Sequence, residues 1–339
     1  MKKISVIIPC YNVEQYIDRC VDSLLKQTIG LESLELIFVN DASTDHTLDK
    51  LLAYEKQYEN SIMVINCEKN GKQGMARNIG MGYASCEYIG FIDADDWIET
   101  TMYEKLYEKV VSLGLDMAGC QADRIFSEAD AKPPINGGGD RYFVIETDED
   151  RKAYLARGFN SHVGCRIYKK SVIFDNGIFF PEGMIYEDNY WGTMLNYYVS
   201  SVYMLDEVLY HYYVNPNSTV MKRNCVEHLD RLTIEKMKMQ EYRERRLYER
   251  FQNIMDREFL QLYWLNSLHV FFLRFDVIPL NLFREMQYTV MEYVPGYKTL
   301  REYTNDEQAL IDMINLAITH EDLDLIQEAY VSAYIKKND

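Results

Sequence analysis

The sequence predicts an α/β chain: a mostly parallel central sheet, followed by an α-helical C-terminal region. Three observations carry this. Short apolar runs rich in β-branched and aromatic residues recur before Gly114, and helical patterns separate them. Beyond about Arg223 the strand-like runs give way to long stretches with helical spacing. The 339 residues, 47% of them hydrophobic, can bury a large core and are enough for two domains. The expected division is residues 1–222 and 223–339.

Residues 4–8 read as the first strand. Tyr16, Ile17, Cys20, Val21, Leu24 and Leu25 then recur at three-and-four spacing, one face of a helix. Residues 34–39 form the second strand, and Leu48, Leu51 and Leu52 mark a second helix behind Ser43 or Thr44 as its cap. Residues 62–66 and 88–92 complete the series. This rhythm predicts βαβ units with right-handed crossovers, whose ligands sit beyond the carboxyl ends of the strands. Four polar clusters therefore meet on one edge: residues 9–12, Asn40 with Asp41, residues 70–77, and residues 93–96.

Further on, Pro133, Pro134 and the glycines at 137–139 interrupt any period, so residues 127–140 read as a mobile loop. Residues 162–168 return to strand character, with the role of His162 open. Helical patterns cover 225–275, break at Pro279, and resume over 282–294 and 307–336. Phe259, Leu262, Tyr263, Leu265, Leu268, Phe271, Phe272 and Phe275 make an aromatic segment read first as core. A homodimer face, an acceptor-binding surface or a shallow peripheral membrane contact are the other readings.

The densest chemistry is Asp93-Ala94-Asp95-Asp96, where the fourth apolar run stops. Hard divalent cations such as Mg²⁺ or Mn²⁺ take several oxygen ligands, so carboxylates clustered at a strand end suit one. The same residues also suit a helix N-terminus. The neighbouring loops favour the cation, because they hold groups complementary to a single ligand. Asp41 can accept a hydrogen bond from a ring or ribose donor, Tyr11 can stack on a base, Asp93 can bind ribose hydroxyls, and Arg77 can offset phosphate charge. Together they describe a nucleoside diphosphate.

These residues resemble the inverting family-two glycosyltransferases, which have the nucleotide-sugar-binding GT-A fold. The resemblance rests on Ser5-Val6-Ile7-Ile8-Pro9-Cys10-Tyr11-Asn12, Val39-Asn40-Asp41-Ala42-Ser43-Thr44-Asp45, Gly74-Met75-Ala76-Arg77-Asn78-Ile79-Gly80 and Phe91-Ile92-Asp93-Ala94-Asp95-Asp96, in that order. It implies a UDP-sugar donor, a saccharide or glycoconjugate acceptor, and Mn²⁺ or Mg²⁺ as cofactor. Pro9, Tyr11 and Asn12 would line the base side of the donor site, with Asp41 on the uracil. Asn70, Arg77 and Ala94 would contact the donor, Asp93 the ribose, and Asp95 the metal bridging the phosphates. Tyr186-Glu187-Asp188-Asn189-Tyr190-Trp191 resembles the family's acidic motif, which places the general base at Asp188. Asp188 also suits a plain helix N-terminus. Ser218 and either Lys222 or Arg223 would reach the diphosphate.

Composition excludes other classes. A net charge of -17 argues against nucleic-acid binding, which demands a basic surface. Seven cysteines without a Cys-x-x-Cys pair read as reduced thiols. No signal-peptide pattern and no bilayer-length apolar stretch are present, so a cytoplasmic protein is expected, with room for contact at the inner face of the membrane. A nucleotidyltransferase would carry a Gly-rich phosphate loop where Pro9-Cys10-Tyr11-Asn12 stands, and a dehydrogenase would carry G-x-G-x-x-G. A catalytically silent nucleotide-sugar-binding scaffold would be marked by loss of a key carboxylate, whereas Asp93, Asp95 and Asp188 are all kept.

Overall fold

The computed structural model describes residues 1–127, 139–157, 162–216, 218–297 and 322–330. It forms two compact units, Met1–Pro216 and Asn217–Asp339. The first is built on a nine-stranded sheet. Strand β1 (Ile4–Cys10) is buried at every position, as its largely apolar run suits a strand covered on both faces, and the one hydroxyl in it, Ser5, is hydrogen-bonded to Glu35. It pairs in parallel with β2 (Leu34–Asn40) and β4 (Tyr88–Phe91), and β2 pairs in parallel with β3 (Ile62–Asn66). The crossovers are α1 (Ile17–Leu25), α2 (Thr47–Gln57) and α3 (Lys72–Tyr83). Helix α1 buries Ile17, Cys20, Val21 and Leu24, the face its spacing marks.

Beyond β4 the sheet becomes mixed. The two-residue β5 (Trp97–Ile98) precedes α4 (Met102–Leu113), which stops at Gly114 in the left-handed region (φ 65°). There follow β6 (Met117–Ile125), β7 (Arg141–Val144), α5 (Asp148–Leu155), β8 (Arg166–Lys169), α6 (Lys170–Asp175), α7 (Glu187–Asn196) and β9 (Ser201–Tyr213). The path runs β3-β2-β1-β4-β8-β6-β9-β5, with β7 also on β9. Two of these pairings position the site. Because β8 is antiparallel to β4, with Gly90 opposite Ile167, the residues leading into β8 lie at the edge where β4 ends. Ile98 and Trp97 pair with Tyr210 and His211, so the far half of β9 runs beside the acidic loop.

Close approach of helix and sheet depends on two glycines. A Cβ at Gly80 would meet Ile7 Cγ2 at 2.4 Å, and one at Gly74 would meet the Pro181 carbonyl oxygen at 2.1 Å. The first seats α3 on β1; the second seats it on the segment leading into α7. The cap of α2 differs from the sequence expectation. Asp45 Oδ1 accepts the Thr47 N–H (3.0 Å), while Ser43 and Thr44 are engaged by Asn12.

The second unit is helical: α8 (Asp230–Glu244), α9 (Tyr248–Phe259), a π-helical turn (Leu260–Asn266), α10 (Ser267–Arg274), α11 (Leu280–Tyr293) and α12 (Leu323–Tyr330). Of the aromatic segment, Phe259, Tyr263, Leu265, Leu268 and Phe271 are buried, and Phe259 stacks on Tyr263 and Tyr293. Most of the loop expected at 127–140 and most of the helix expected at 307–336 lie outside the described residues. No helix among the described residues is long and apolar enough to cross a membrane.

Candidate active site

The acidic loop is held from several sides. The Asp96 N–H closes a turn onto the Asp93 carbonyl (2.9 Å). The Asp96 side chain is fully buried; its Oδ2 accepts the Tyr210 hydroxyl (2.5 Å) and its Oδ1 the Tyr213 N–H (2.8 Å). The Tyr210 oxygen in turn accepts the Asp93 N–H (3.3 Å). Asp95 Oδ2 accepts from Asn215 Nδ2 (3.2 Å), and its carbonyl accepts from Arg19 Nη2 (2.6 Å), whose guanidinium lies 4.0 Å from the Trp97 ring centroid. Burial, with Asp93 adding, pushes the Asp95 carboxyl up to about 6. Burial and then Asp95 and Asp93 push Asp96 well above the carboxylate range. Three carboxylates crowded into four residues is an arrangement that a bound cation relieves.

Arg77 on α3 connects this loop to α7. It is only 2% exposed; Nη2 donates to Asp93 Oδ1 (2.7 Å) and Nη1 to Glu187 Oε1. Helix α7 starts after Tyr186, which sits in the left-handed region (φ 67°) and turns the chain sharply. Asp188, in the first helical turn, accepts the Asn189 N–H on Oδ1 (2.9 Å). Its carboxyl is raised by burial, with Arg77 and His162 pulling the other way and Asp93 adding to the rise. Asp93, Arg77, Glu187, Asp188 and His162 therefore share one charged cluster, although 110 positions separate Arg77 from Glu187.

The remaining rim residues fall at the ends of β1 to β3. Pro9 is buried and paired with Val39, while Tyr11 is 48% exposed and presents its ring. Asn12 (φ 53°) builds the loop: its N–H donates to Ser43 Oγ (3.0 Å) and its Oδ1 accepts the Thr44 N–H (2.8 Å). Asp41 is buried; its Oδ1 accepts the Gly71 N–H (2.8 Å), and its carbonyl accepts from Asn70 Nδ2 (3.1 Å). Burial raises the Asp41 carboxyl. Ala94 is buried between the acidic residues. Ser218 and Lys222 belong to the second unit, where the Lys222 carbonyl accepts from His228 Nε2 (2.9 Å). Arg223 there pairs with Asp276 (2.5 Å).

Among the described residues, Asp93, Asp96 and His162 each offer a ligand atom within 4.8 Å of the others. Two carboxylate oxygens and one imidazole nitrogen form a donor set that fits a divalent ion. Sequence reasoning did not single out Tyr210 or Arg19. Their contacts cross 117 and 76 positions, and no local pattern marks them.

A mostly parallel sheet with carboxylates at the carboxyl ends of its strands, a buried arginine on α3 and a second acidic pair on a following helix has the architecture of the GT-A fold. The chain belongs to glycosyl transferase family 2, whose sequence model matches residues 5–175. It is 32% identical over 228 residues to the uncharacterized glycosyltransferase YibD of Escherichia coli, covering 64% of this chain and 62% of that protein. It is 34% identical over 218 residues to the uncharacterized glycosyltransferase EpsJ of Bacillus subtilis, covering 63% and 62%. The aligned region thus spans less than two thirds of either relative. In structure it is similar to Staphylococcus aureus TarS 1-349 in complex with UDP-GlcNAc, with a TM-score of 0.73 at 21% identity over 99% of this chain and 92% of that one.

Proposed function

We propose that this glycosyltransferase moves a sugar from a UDP-sugar to a hydroxyl of a saccharide or glycoconjugate acceptor with inversion. Asp188 acts as general base, and Mn²⁺ or Mg²⁺ is held at residues 93–96. The observation that carries this reading is the Arg77 bridge. It ties the acidic loop to the first turn of α7 in one charged cluster, which supports a leaving-group side and a base side at one reacting centre. The TarS complex holds UDP-GlcNAc on the same fold, which supports a uridine donor here.

In this reading Tyr11 stacks on the base, Asp41 accepts from it, and Asn70 contacts the donor, while Arg77, expected on the donor, is instead buried between Asp93 and Glu187 and acts through them. Asp93 meets the ribose, Ala94 lies against the donor, and Asp95 would hold the cation at the diphosphate. Asp188 takes the proton of the acceptor hydroxyl as its oxygen bonds to the anomeric carbon. The bond from that carbon to the diphosphate oxygen breaks on the opposite face, and its electron pair leaves with UDP. The cation supplies Lewis-acid stabilisation of that developing charge.

The test is UDP release from a panel of UDP-sugars with Mn²⁺, with and without a saccharide acceptor. Release from at least one donor, abolished by a chelator and restored by Mn²⁺, is the expected result. Undiminished UDP binding without release from any donor would sink the enzymatic reading and leave a nucleotide-sugar-binding scaffold.

A further inference from the structure

We propose that the groove lined by α8 and α11 in the helical unit is a second binding site, and that its ligand is an uncharged saccharide. Its use during transfer rests on the function proposed above; binding in the groove does not.

The groove has a volume of about 600 Å³, within the range of small-ligand sites. On α11, Asn281, Glu285, Tyr288 and Glu292 recur at three-and-four spacing and share one helix face, with Arg284 beside them. Lys236 of α8 stands in the same lining.

Among the described residues, every side chain of this lining is polar or aromatic. An amphipathic helix or an acyl chain needs an aliphatic floor, and none is offered. Lys236 and Arg284 are balanced by Glu285 and Glu292, so a polyanion finds no net attraction. Saccharide hydroxyls both donate and accept, and the groove offers both roles. Lys236 and Arg284 donate, Glu285 and Glu292 accept, and Asn281 does either. Tyr288 is 70% exposed, and the electron-rich face of its ring suits the polarised C–H face of a pyranose.

These groups are not engaged with one another. Among the described residues, the side chains of Lys236, Asn281, Glu285, Tyr288 and Glu292 form no ion pair or hydrogen bond. Lys236 is half-buried in a lining that holds two carboxylates, yet it is paired with neither, which leaves its donors for a ligand.

The wall behind them is ordered. Tyr293, also in the lining, stacks on Phe259 (5.3 Å), and Phe259 stacks on Tyr263 (4.6 Å). The Arg243 guanidinium lies 5.1 Å from the Tyr293 ring centroid, and its Nη2 donates to the Tyr293 carbonyl (3.3 Å). Phe259 directly precedes the π-helical turn, a distortion frequent at functional sites. A wall already fixed in place removes an entropic cost of binding.

The test is calorimetric titration of the full chain with neutral oligosaccharides of glucose, galactose and N-acetylglucosamine, with an acidic oligogalacturonate as the charged comparison. Wild type is set beside Tyr288→Ala, the double variant Glu285→Ala with Glu292→Ala, and Asp188→Asn. The expected result is binding of at least one neutral oligosaccharide, weakened at least about tenfold in Tyr288→Ala and in the double variant and unchanged in Asp188→Asn. All three groove positions are exposed, so the unfolding midpoints of those variants should match wild type. Should Tyr288→Ala fail to fold, the double variant decides. Binding of no neutral oligosaccharide would overturn the proposal, as would binding that survives both groove variants. A preference for oligogalacturonate would overturn the uncharged class. Groove binding without UDP release from any donor would uphold this site while removing the enzymatic reading, and UDP release without groove binding would do the reverse.

Discussion

Arg77 and Glu187 meet as a buried ion pair that ties helix α3 to the first turn of α7, and the same guanidinium reaches Asp93 at 2.7 Å. Removing one partner of such a pair leaves the other charge buried and uncompensated. Arg77→Ala strands two carboxylates and should destabilise the first unit by about 3–5 kcal/mol. Glu187→Gln keeps an acceptor and should cost less, about 1–3 kcal/mol. Denaturant unfolding of both variants checks the ordering; equal, small losses would show that the bridge does not anchor α7.

Asp188→Asn should leave UDP affinity unchanged within error and lower kcat by about 10²–10⁴-fold, the range for loss of a general base. The same group sets a pH dependence. Its carboxyl is raised by burial, and only the ionised form accepts a proton. Activity should therefore be full above that raised pKa and fall as pH drops through it, earlier than an ordinary carboxylate would require. The residual activity of Asp188→Asn should lack that acid limb.

Tyr11 is half exposed, so truncation there removes a stacking surface without opening the core. Tyr11→Ala should weaken UDP binding by about 1–3 kcal/mol. Its unfolding midpoint should match wild type. An unchanged UDP affinity by calorimetry would take the base away from this ring.

Gly74→Ala tests the seat of α3 against the segment before α7. The added methyl would meet a backbone carbonyl at 2.1 Å, which cannot rotate aside as a side chain would. A loss of about 1–3 kcal/mol is expected, together with a fall in kcat as Asp188 shifts relative to Asp93. A fully stable and fully active variant would show that this contact does not position the base.

Tyr210→Phe removes a hydroxyl that donates to Asp96 and accepts the Asp93 N–H. The buried carboxylate then keeps one donor, the Tyr213 N–H, and the variant should lose about 1–3 kcal/mol by thermal or chemical unfolding. A loss below experimental error would mean that the loop is held by its own turn.

Much of the fold was legible because its signals are local. The apolar runs at 4–8, 34–39, 62–66 and 88–92 fall within β1 to β3 or reach one residue past β4, and period and β-branching act over a few neighbouring residues. The convergence of residues 9–12, Asp41, 70–77 and 93–96 followed from the handedness of βαβ units, a rule of topology that needs no coordinates.

What the sequence alone determined is the order of the strands and helices through β4, the rim on which its polar loops gather, and the acidic and basic residue types available there. Tertiary structure alone decided which of those groups touch. Asn12 ties its loop to Ser43 and Thr44; Arg77 spans 110 positions to Glu187; Tyr210 on β9 and His162 in the segment before β8 reach Asp96 from positions distant in the chain. The physical reason is the range of the forces. Backbone preferences and periodicity are set by near neighbours, whereas burial, charge compensation and hydrogen bonding across a sheet depend on which residues the closed fold brings within a few ångströms.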